Sequence, residues 1–329
     1  MTRITLPGTA LSVSPLCLGG NRLGADLDRD ASFALLDAFV EAGGNFIDTA
    51  HVYADWLPNV ERSCSEKTIG RWLAARNPGA SVVVATKIGH PRLDRPGARL
   101  DADSLRQDVA EAQENLQQER LDLVYLHRDD PARDAAEILA TMEDLRTKGQ
   151  IRHYAASNWT AARLQAASEA ARQHGWQGFV ANQAEWSLAA RNPGSAAADL
   201  HGMDAEMTRW HEETGIAAIP YSAQAKGYFD KLAAGTLDAA TARGYDNPLN
   251  RTKAARLAAL ASGAGLSPTQ AMLALMRLTP FPVIPVVGCR TPSQVAASFR
   301  GIDAQLDADA ARDLLRDLLG DSAAIRPQP

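Results

Sequence analysis

From residue 16 almost to the end of the chain, short apolar runs alternate with longer segments whose apolar residues recur every three or four positions. The runs are LCLGG (16–20), NFID (45–48), SVVVATK (81–87), LDLVYLH (121–127), IRHYAAS (151–157), GFVANQ (178–183), IAAIPYS (216–222) and FPVIPVVG (281–288). They are apolar throughout rather than alternating, which predicts strands covered on both faces, as in a parallel sheet. The segments between them predict helices. In 31–44, Phe33, Leu36 and Val40 fall on one face, and Gly43 or Gly44 supplies the stop. Eight such strand–helix units in 329 residues predict an α/β fold, a single (β/α)8 TIM barrel over 1–329, rather than two doubly wound halves. No GxGxxG opens a helix after the first strand, because the glycines of LGGNRLG have the wrong spacing.

A few segments stand outside this alternation. Residues 1–15 read as an N-terminal β-hairpin turning at Pro7-Gly8. Residues 223–249 form a long loop after the seventh strand, of a size that usually marks a lid or a mobile segment. An extra C-terminal helix, DADAARDLLRDLLG, precedes a flexible tail at 322–329.

Composition adds exclusions. The chain is 46% hydrophobic and 22% charged, with a net charge of −5, so it has material for a full core and no overall electrostatic attraction to nucleic acid or an anionic membrane. No apolar run approaches a membrane span, and the N-terminus lacks a basic segment followed by an unbroken apolar one. Cys17, Cys64 and Cys289 are scattered, without metal-ligand spacing, which predicts free thiols, no metal site and a cytoplasmic location. The oligomeric state is left open.

The chemistry lies at the strand ends, where a barrel of this kind builds its site. The second strand ends in Asp48 with Tyr53 just beyond, the third in Lys87 and the fourth in His127. The fifth ends in Ser157-Asn158, the sixth in Asn182-Gln183 and the seventh in Tyr221-Ser222. Taken singly, such residues are caps, turn residues, solvated charges or packing. Taken together, an acid, a phenol, an amine and an imidazole on three consecutive strand ends converge on one mouth and form a coupled cluster. An ammonium beside Tyr53 is expected to lower the phenol's pKa and make it a proton donor. Asp48 is expected to keep Lys87 charged, and His127 to orient or polarise a carbonyl oxygen. A donor of this kind suits carbonyl reduction; no side chain delivers hydride, so a cofactor is required. His51, the histidine nearest Tyr53, reads as a bystander.

The motifs NFIDTAHVY, VVVATK, VYLH, ASNW, NQAEWS, PYS and VIPVVGCRTPSQV, in this order and at these strand ends, resemble those of the aldo-keto reductase family over essentially the whole chain. The resemblance implies a (β/α)8 barrel that binds NADP(H) in extended form and reduces an aldehyde or ketone to an alcohol. It implies a tetrad of Asp48, Tyr53, Lys87 and His127, with Tyr53 as general acid. It also implies that Ser157, Asn158 and Gln183 bond the nicotinamide carboxamide and that Tyr221 stacks on the ring. Arg290 is then the candidate for the 2′-phosphate, through its planar fork, and Gln294 for the adenine side. The family often has Glu and Asn three and four residues after Gln294, where this chain has Ala297 and Ser298. Trp56, Arg128, Trp159 and Trp186 follow strand ends and are candidates for the substrate pocket, plain packing being the alternative for the tryptophans. The run HRDD (127–130) suits a hydroxylated, carbohydrate-like carbonyl compound.

Two other functions are compatible with these residues. One is a lyase whose Lys87 forms a Schiff base; the other is an NADPH-binding, redox-sensing or partner-associated subunit with little turnover. Fragments such as VATK and HRDD also occur in kinases, but the required Gly-rich loop, correctly spaced Asn and DFG are missing.

Overall fold

The computed structural model describes residues 2–93 and 97–320; the tail expected at 322–329 lies outside the described residues. A two-stranded antiparallel hairpin, β1 (Ile4–Thr5) and β2 (Ser12–Val13), opens the chain. Eight parallel strands follow: β3 (Cys17–Gly19), β4 (Phe46–Asp48), β5 (Val83–Ile88), β6 (Leu121–Leu126), β7 (Ile151–Ser157), β8 (Ala181–Gln183), β9 (Ala217–Ala218) and β10 (Val286–Val287). They are hydrogen-bonded in sequence order from β3 to β9, with β10 beside β3. The eighth run also meets β9, through Ala218 N–H to Pro282 O at 2.9 Å and Ile284 N–H to Ala218 O at 2.9 Å, so the sheet closes into a (β/α)8 barrel.

The period of two along each strand sorts the side chains. Phe46, Val83, Ala85, Leu123, Tyr125, Ala155, Ala181, Ala217 and Ile219 point into the barrel. Ile47, Val84, Val124 and Ala156 point outward against the helices. The hairpin closes the floor by adding Leu6, Leu11 and Val13 to the interior layer. Asn45 holds it there, accepting from Ser14 N–H at 2.7 Å and donating to Ser12 O and Ser81 O, each at 3.0 Å.

Helices α1 (Arg29–Glu41), α2 (Cys64–Arg76), α3 (Ala102–Leu116), α4 (Ala135–Thr147), α5 (Ala161–His174) and α6 (Ala205–Thr214) cover the sheet. Most begin at a side chain that accepts a backbone N–H, such as Asp28, Asp101, Asp134, Thr160 and Asp204. The 223–249 segment is less loop-like than expected. It carries α7 (Tyr228–Ala233) and α8 (Ala239–Tyr245), pinned by the buried Tyr228, Phe229 and Tyr245. The three aromatic side chains lie in one apolar cluster with α9 (Pro248–Gly263), α10 (Pro268–Met276) and the C-terminal α12 (Ala308–Leu319). Helix α11 (Pro292–Ile302) follows the eighth strand. No described helix is long and apolar enough to cross a membrane.

Candidate active site

Inward alternation selects the site. Asp48 lies two residues past Phe46, Lys87 two past Ala85 and His127 two past Tyr125, so each continues an interior column at the strand's C-terminal end. All three are buried, Asp48 and Lys87 to 1% exposure and His127 to 8%. The Lys87 ammonium lies 2.7 and 2.6 Å from the two Asp48 oxygens, 2.9 Å from Thr49 O and 2.7 Å from the Tyr53 hydroxyl. Tyr53 in turn donates to Asp48 Oδ2 at 3.1 Å. The Tyr53 and His127 rings meet edge-on, 6.0 Å between centroids. All four members of the predicted tetrad therefore meet in one cluster. Close approach also explains Gly20 beside it: its N–H donates to Asp48 O at 2.7 Å, and a Cβ there would lie 2.7 Å from that same oxygen.

Burial sets the protonation states. It pushes the Tyr53 phenol well above its usual value, and the Asp48 charge adds to the push. The expected lowering by Lys87 is not what this arrangement gives: the carboxylate and the dry surroundings outweigh the ammonium, and Tyr53 is held as a neutral phenol. Burial also pulls Lys87 down, opposed by Asp48. His127 is driven well below the usual histidine value by burial first and then by the Lys87 charge, so its ring is neutral at neutral pH. Among the described residues its Nδ1 is buried without a hydrogen-bond partner.

A second hydrogen-bonded chain runs around the far side of the mouth. Gln183 donates from Nε2 to Asp48 Oδ1 at 2.9 Å, and Ser157 Oγ donates to Gln183 O at 2.9 Å. Asn158 donates to Ser157 Oγ at 3.0 Å and to His127 O at 3.2 Å, while Tyr221 donates to Asn158 Oδ1 at 2.8 Å. The residues expected to grip a carboxamide thus form one network that ends on the Asp48–Lys87 pair. Further along the rim, Arg290 is exposed, and its guanidinium makes no ion pair among the described residues. It sits just before the N-terminus of α11, where Gln294 Oε1 accepts Arg290 N–H at 2.7 Å. A guanidinium without an ion pair among the described residues, beside a helix N-terminus and next to the strand run that carries Tyr221, is a donor set suited to a phosphorylated dinucleotide.

The other candidates divide. Arg128 stays at the rim, with Nε 2.7 Å from Asp199 Oδ2 and Nη1 donating to His127 O at 2.8 Å. Trp56 is 55% exposed, whereas Trp159 and Trp186 are packed away. Trp159 is fully buried against Phe179, its Nε1 donating to Arg128 O at 3.2 Å. Trp186 stacks on Phe281 and donates to Leu318 O at 3.1 Å. Both extend the core. The aspartates of HRDD are also engaged: Asp129 pairs with Arg163 at 2.8 Å, and Asp130 Oδ1 accepts Ala132 N–H at 3.2 Å. The polar side chains of this run are thus engaged with neighbouring residues, while Arg128 and Asp130 stay partly exposed.

His90 was missed. Its ring lies edge-on to His127 with centroids 4.8 Å apart, and it lines a cavity of about 270 Å³ with His51, Val52, Asp55, Arg62 and Arg92, beside the tetrad rather than lined by it. It stands three residues beyond Lys87, so extending the search past the last strand residue finds it.

The chain as a whole is similar to known proteins. The family model described as Aldo/keto reductase family matches residues 15–315. The chain is 28% identical over 319 residues to a norsolorinic acid reductase of Emericella nidulans, covering 92% of this chain and 78% of that protein. It is 27% identical to an aryl-alcohol dehydrogenase of Pestalotiopsis microspora, covering 95% and 80% respectively. An aryl-alcohol dehydrogenase [NADP(+)] of Phanerodontia chrysosporium is 32% identical over 206 residues, 56% of this chain and 51% of that protein. The chain belongs to the aldo/keto reductase family, a group of carbonyl-reducing oxidoreductases.

Proposed function

We propose that the protein reduces an aldehyde or ketone to an alcohol with NADP(H), using Tyr53 as the proton donor. The observation that carries this reading is the Tyr53 hydroxyl, 2.7 Å from the Lys87 ammonium inside a buried cluster. NADPH supplies the hydride when bound. The residues suited to hold it are Ser157, Asn158, Gln183 and Tyr221 at the nicotinamide end, with Arg290 and Gln294 at the adenosine end.

Tyr53 starts as a neutral phenol, the state a proton donor needs. As charge develops on the substrate oxygen, the phenol proton moves to it, and the nascent phenolate is stabilised by the Lys87 N–H already aimed at its oxygen. Asp48 and Thr49 O hold that ammonium in place. His127, neutral and beside Tyr53, is placed to donate to the same carbonyl oxygen and orient it. The same contacts weigh against a Schiff-base role. A nucleophilic lysine needs a free amine, and Lys87 Nζ has acceptors on three residues.

The names of the relatives suggest aryl aldehydes and ketones, ahead of the carbohydrate-like class, as substrates. The test is NADPH consumption across a panel containing both classes. Tyr53→Phe is expected to lower turnover by about 100-fold or more while NADPH binding stays near wild type. Wild-type protein that binds NADPH but oxidises none of it across the panel favours the binding-subunit alternative.

A further inference from the structure

His51 emerges from the structure with more to do than its sequence position suggested. Its side chain is buried to 6% exposure behind the Tyr53 turn, and both ring nitrogens face carboxylates. Nδ1 lies 3.3 Å from Glu66 Oε2 on α2, within ion-pair distance but without an aligned hydrogen bond, and Nε2 lies 3.0 Å from Glu111 Oε2 on α3. Glu66 is fully buried; it accepts from Thr86 Oγ1 of β5 at 2.5 Å and from Asn115 Nδ2 of α3 at 2.9 Å. Among the described residues it has no lysine or arginine partner, so the cation facing this buried carboxylate is His51. An unpaired buried carboxylate is strongly unfavourable.

The backbone of His51 ties the same point to the catalytic strand. Its N–H donates to Lys87 O at 3.1 Å, and its carbonyl accepts Ser63 Oγ at 2.8 Å. Tyr53 N–H then closes the turn on Ala50 O at 3.2 Å, and Ala54 takes a positive φ of 67°. Tyr53 is thus two residues from an anchor whose ring grips α2 and α3 and whose backbone grips β5.

We propose that His51 is a positioning residue: as a cation clamped between Glu66 and Glu111, it holds the turn that places the Tyr53 hydroxyl against Lys87. The proposal rests on Tyr53 being the proton donor. Its geometry contains a two-way competition. Arg62 Nη2 lies 3.0 Å from His51 Nε2 and 3.3 Å from Glu111 Oε2. A guanidinium only donates, so Nε2 accepts from Arg62 when the ring is neutral and donates to Glu111 when it is charged. Losing one proton therefore releases Glu111, exchanges the partner of Arg62 and leaves Glu66 without a counter-charge. Of the other acids near this face, Asp108 is already paired with Arg99 at 2.6 Å, and Asp55 lies 3.9 Å from Arg62 Nε. The net influence of the three acids raises the His51 pKa above its usual value despite burial.

The experiment compares wild type with His51→Gln, Tyr53→Phe, Glu66→Gln and the double variant His51→Gln/Glu66→Gln, each as the full chain. His51→Gln is expected to lower kcat about 10-fold, with KM for NADPH changed less than about 2-fold, because proton transfer is sensitive to sub-ångström placement. The wild-type to variant ratio of kcat is expected to be greatest below pH 6.5 and to shrink as pH rises and the wild-type ring loses its proton. Adding Glu66→Gln is expected to recover at least about 3-fold of the lost kcat, since it removes the charge that lost its partner. A pH-independent ratio with no recovery in the double variant indicates packing alone and overturns the proposal, as does a wild-type kcat in His51→Gln. If Tyr53→Phe keeps its turnover, the proton-donor reading itself fails. If His51→Gln does not fold, an NMR titration of the wild-type histidines decides. A ring that is neutral at pH 6 overturns the clamp, and one still charged above the ordinary histidine pKa supports it.

Discussion

Replacing Asp48 with asparagine removes the only formal negative charge in contact with the Lys87 ammonium among the described residues while keeping the side chain's shape. Lys87 is 1% exposed and would keep Thr49 O and the Tyr53 hydroxyl as neutral acceptors. Removing one partner of a buried pair costs about 3–5 kcal/mol, and the retained neutral contacts place Asp48→Asn toward the lower end. Asparagine also presents an amide nitrogen, a donor, to an ammonium or to Gln183 Nε2, which now donates to Asp48 at 2.9 Å. One of these contacts must be lost. Burial already pulls the Lys87 pKa down, and without the carboxylate it falls further, so the positive charge beside the Tyr53 hydroxyl is lost with it. Stability is measured by urea denaturation at pH 7, and turnover by NADPH oxidation on the best substrate of the panel. The expected outcome is a loss of about 3 kcal/mol, with kcat lowered at least about 100-fold. Adding Lys87→Met to Asp48→Asn should restore about 1–2 kcal/mol of stability without activity, because it removes the orphaned charge. A loss below about 1 kcal/mol in Asp48→Asn, or additive losses in the double variant, would show that the pair is not coupled as described.

Three further outcomes follow from the same geometry. Arg290→Ala is expected to weaken NADPH binding about 10-fold or more, as for loss of a charge-assisted hydrogen bond, and NADH binding less than about 3-fold; equal loss of both, measured by fluorescence titration, refutes the 2′-phosphate assignment. Burial lowers the His211 pKa to about 4, its neutral ring meeting Ile216 O at 2.8 Å and Asn182 Nδ2 at 3.3 Å. The unfolded chain therefore binds a proton that the folded one refuses, and stability falls as pH drops from 6.5 toward 4, by about 3 kcal/mol at the limit. His127, lowered by burial and by Lys87, acts in the same direction, so His211→Phe should flatten only part of the acid limb in thermal melts recorded between pH 4 and 7. Gly20→Ala should lower both stability and kcat, because its methyl would press on Asp48 O, and stability should fall by about 1–3 kcal/mol.

The architecture was legible because buried parallel strands leave a strong signature: short apolar runs, each followed by an amphipathic helix. The identities at their ends were legible for the same reason, since a polar residue that breaks an apolar run at a fixed chain position stands out. Asp48, Lys87 and His127 stood out as the polar residues that end the second, third and fourth apolar runs. The boundaries of the 223–249 segment were less readable. Its two short helices gain their stability from Tyr228, Phe229 and Tyr245 docking against distant α9 and α10, a signal that local periodicity does not carry.

Tertiary structure alone decided how the side chains affect one another. Trp159 and Trp186 carry the same residue type as a pocket wall, and only packing against Phe179 and Phe281 assigns them to the core. Tyr53 lies beside a cation in either reading, yet the balance of burial and Asp48 keeps its proton on. His51 was a neighbour of Tyr53 in sequence, and became a bridge only because α2 and α3 bring Glu66 and Glu111 to its two nitrogens. Strand periodicity is a local property of the chain and can be read along it. Protonation and placement depend on which charges share a dry interior, and those charges come from residues far apart in sequence.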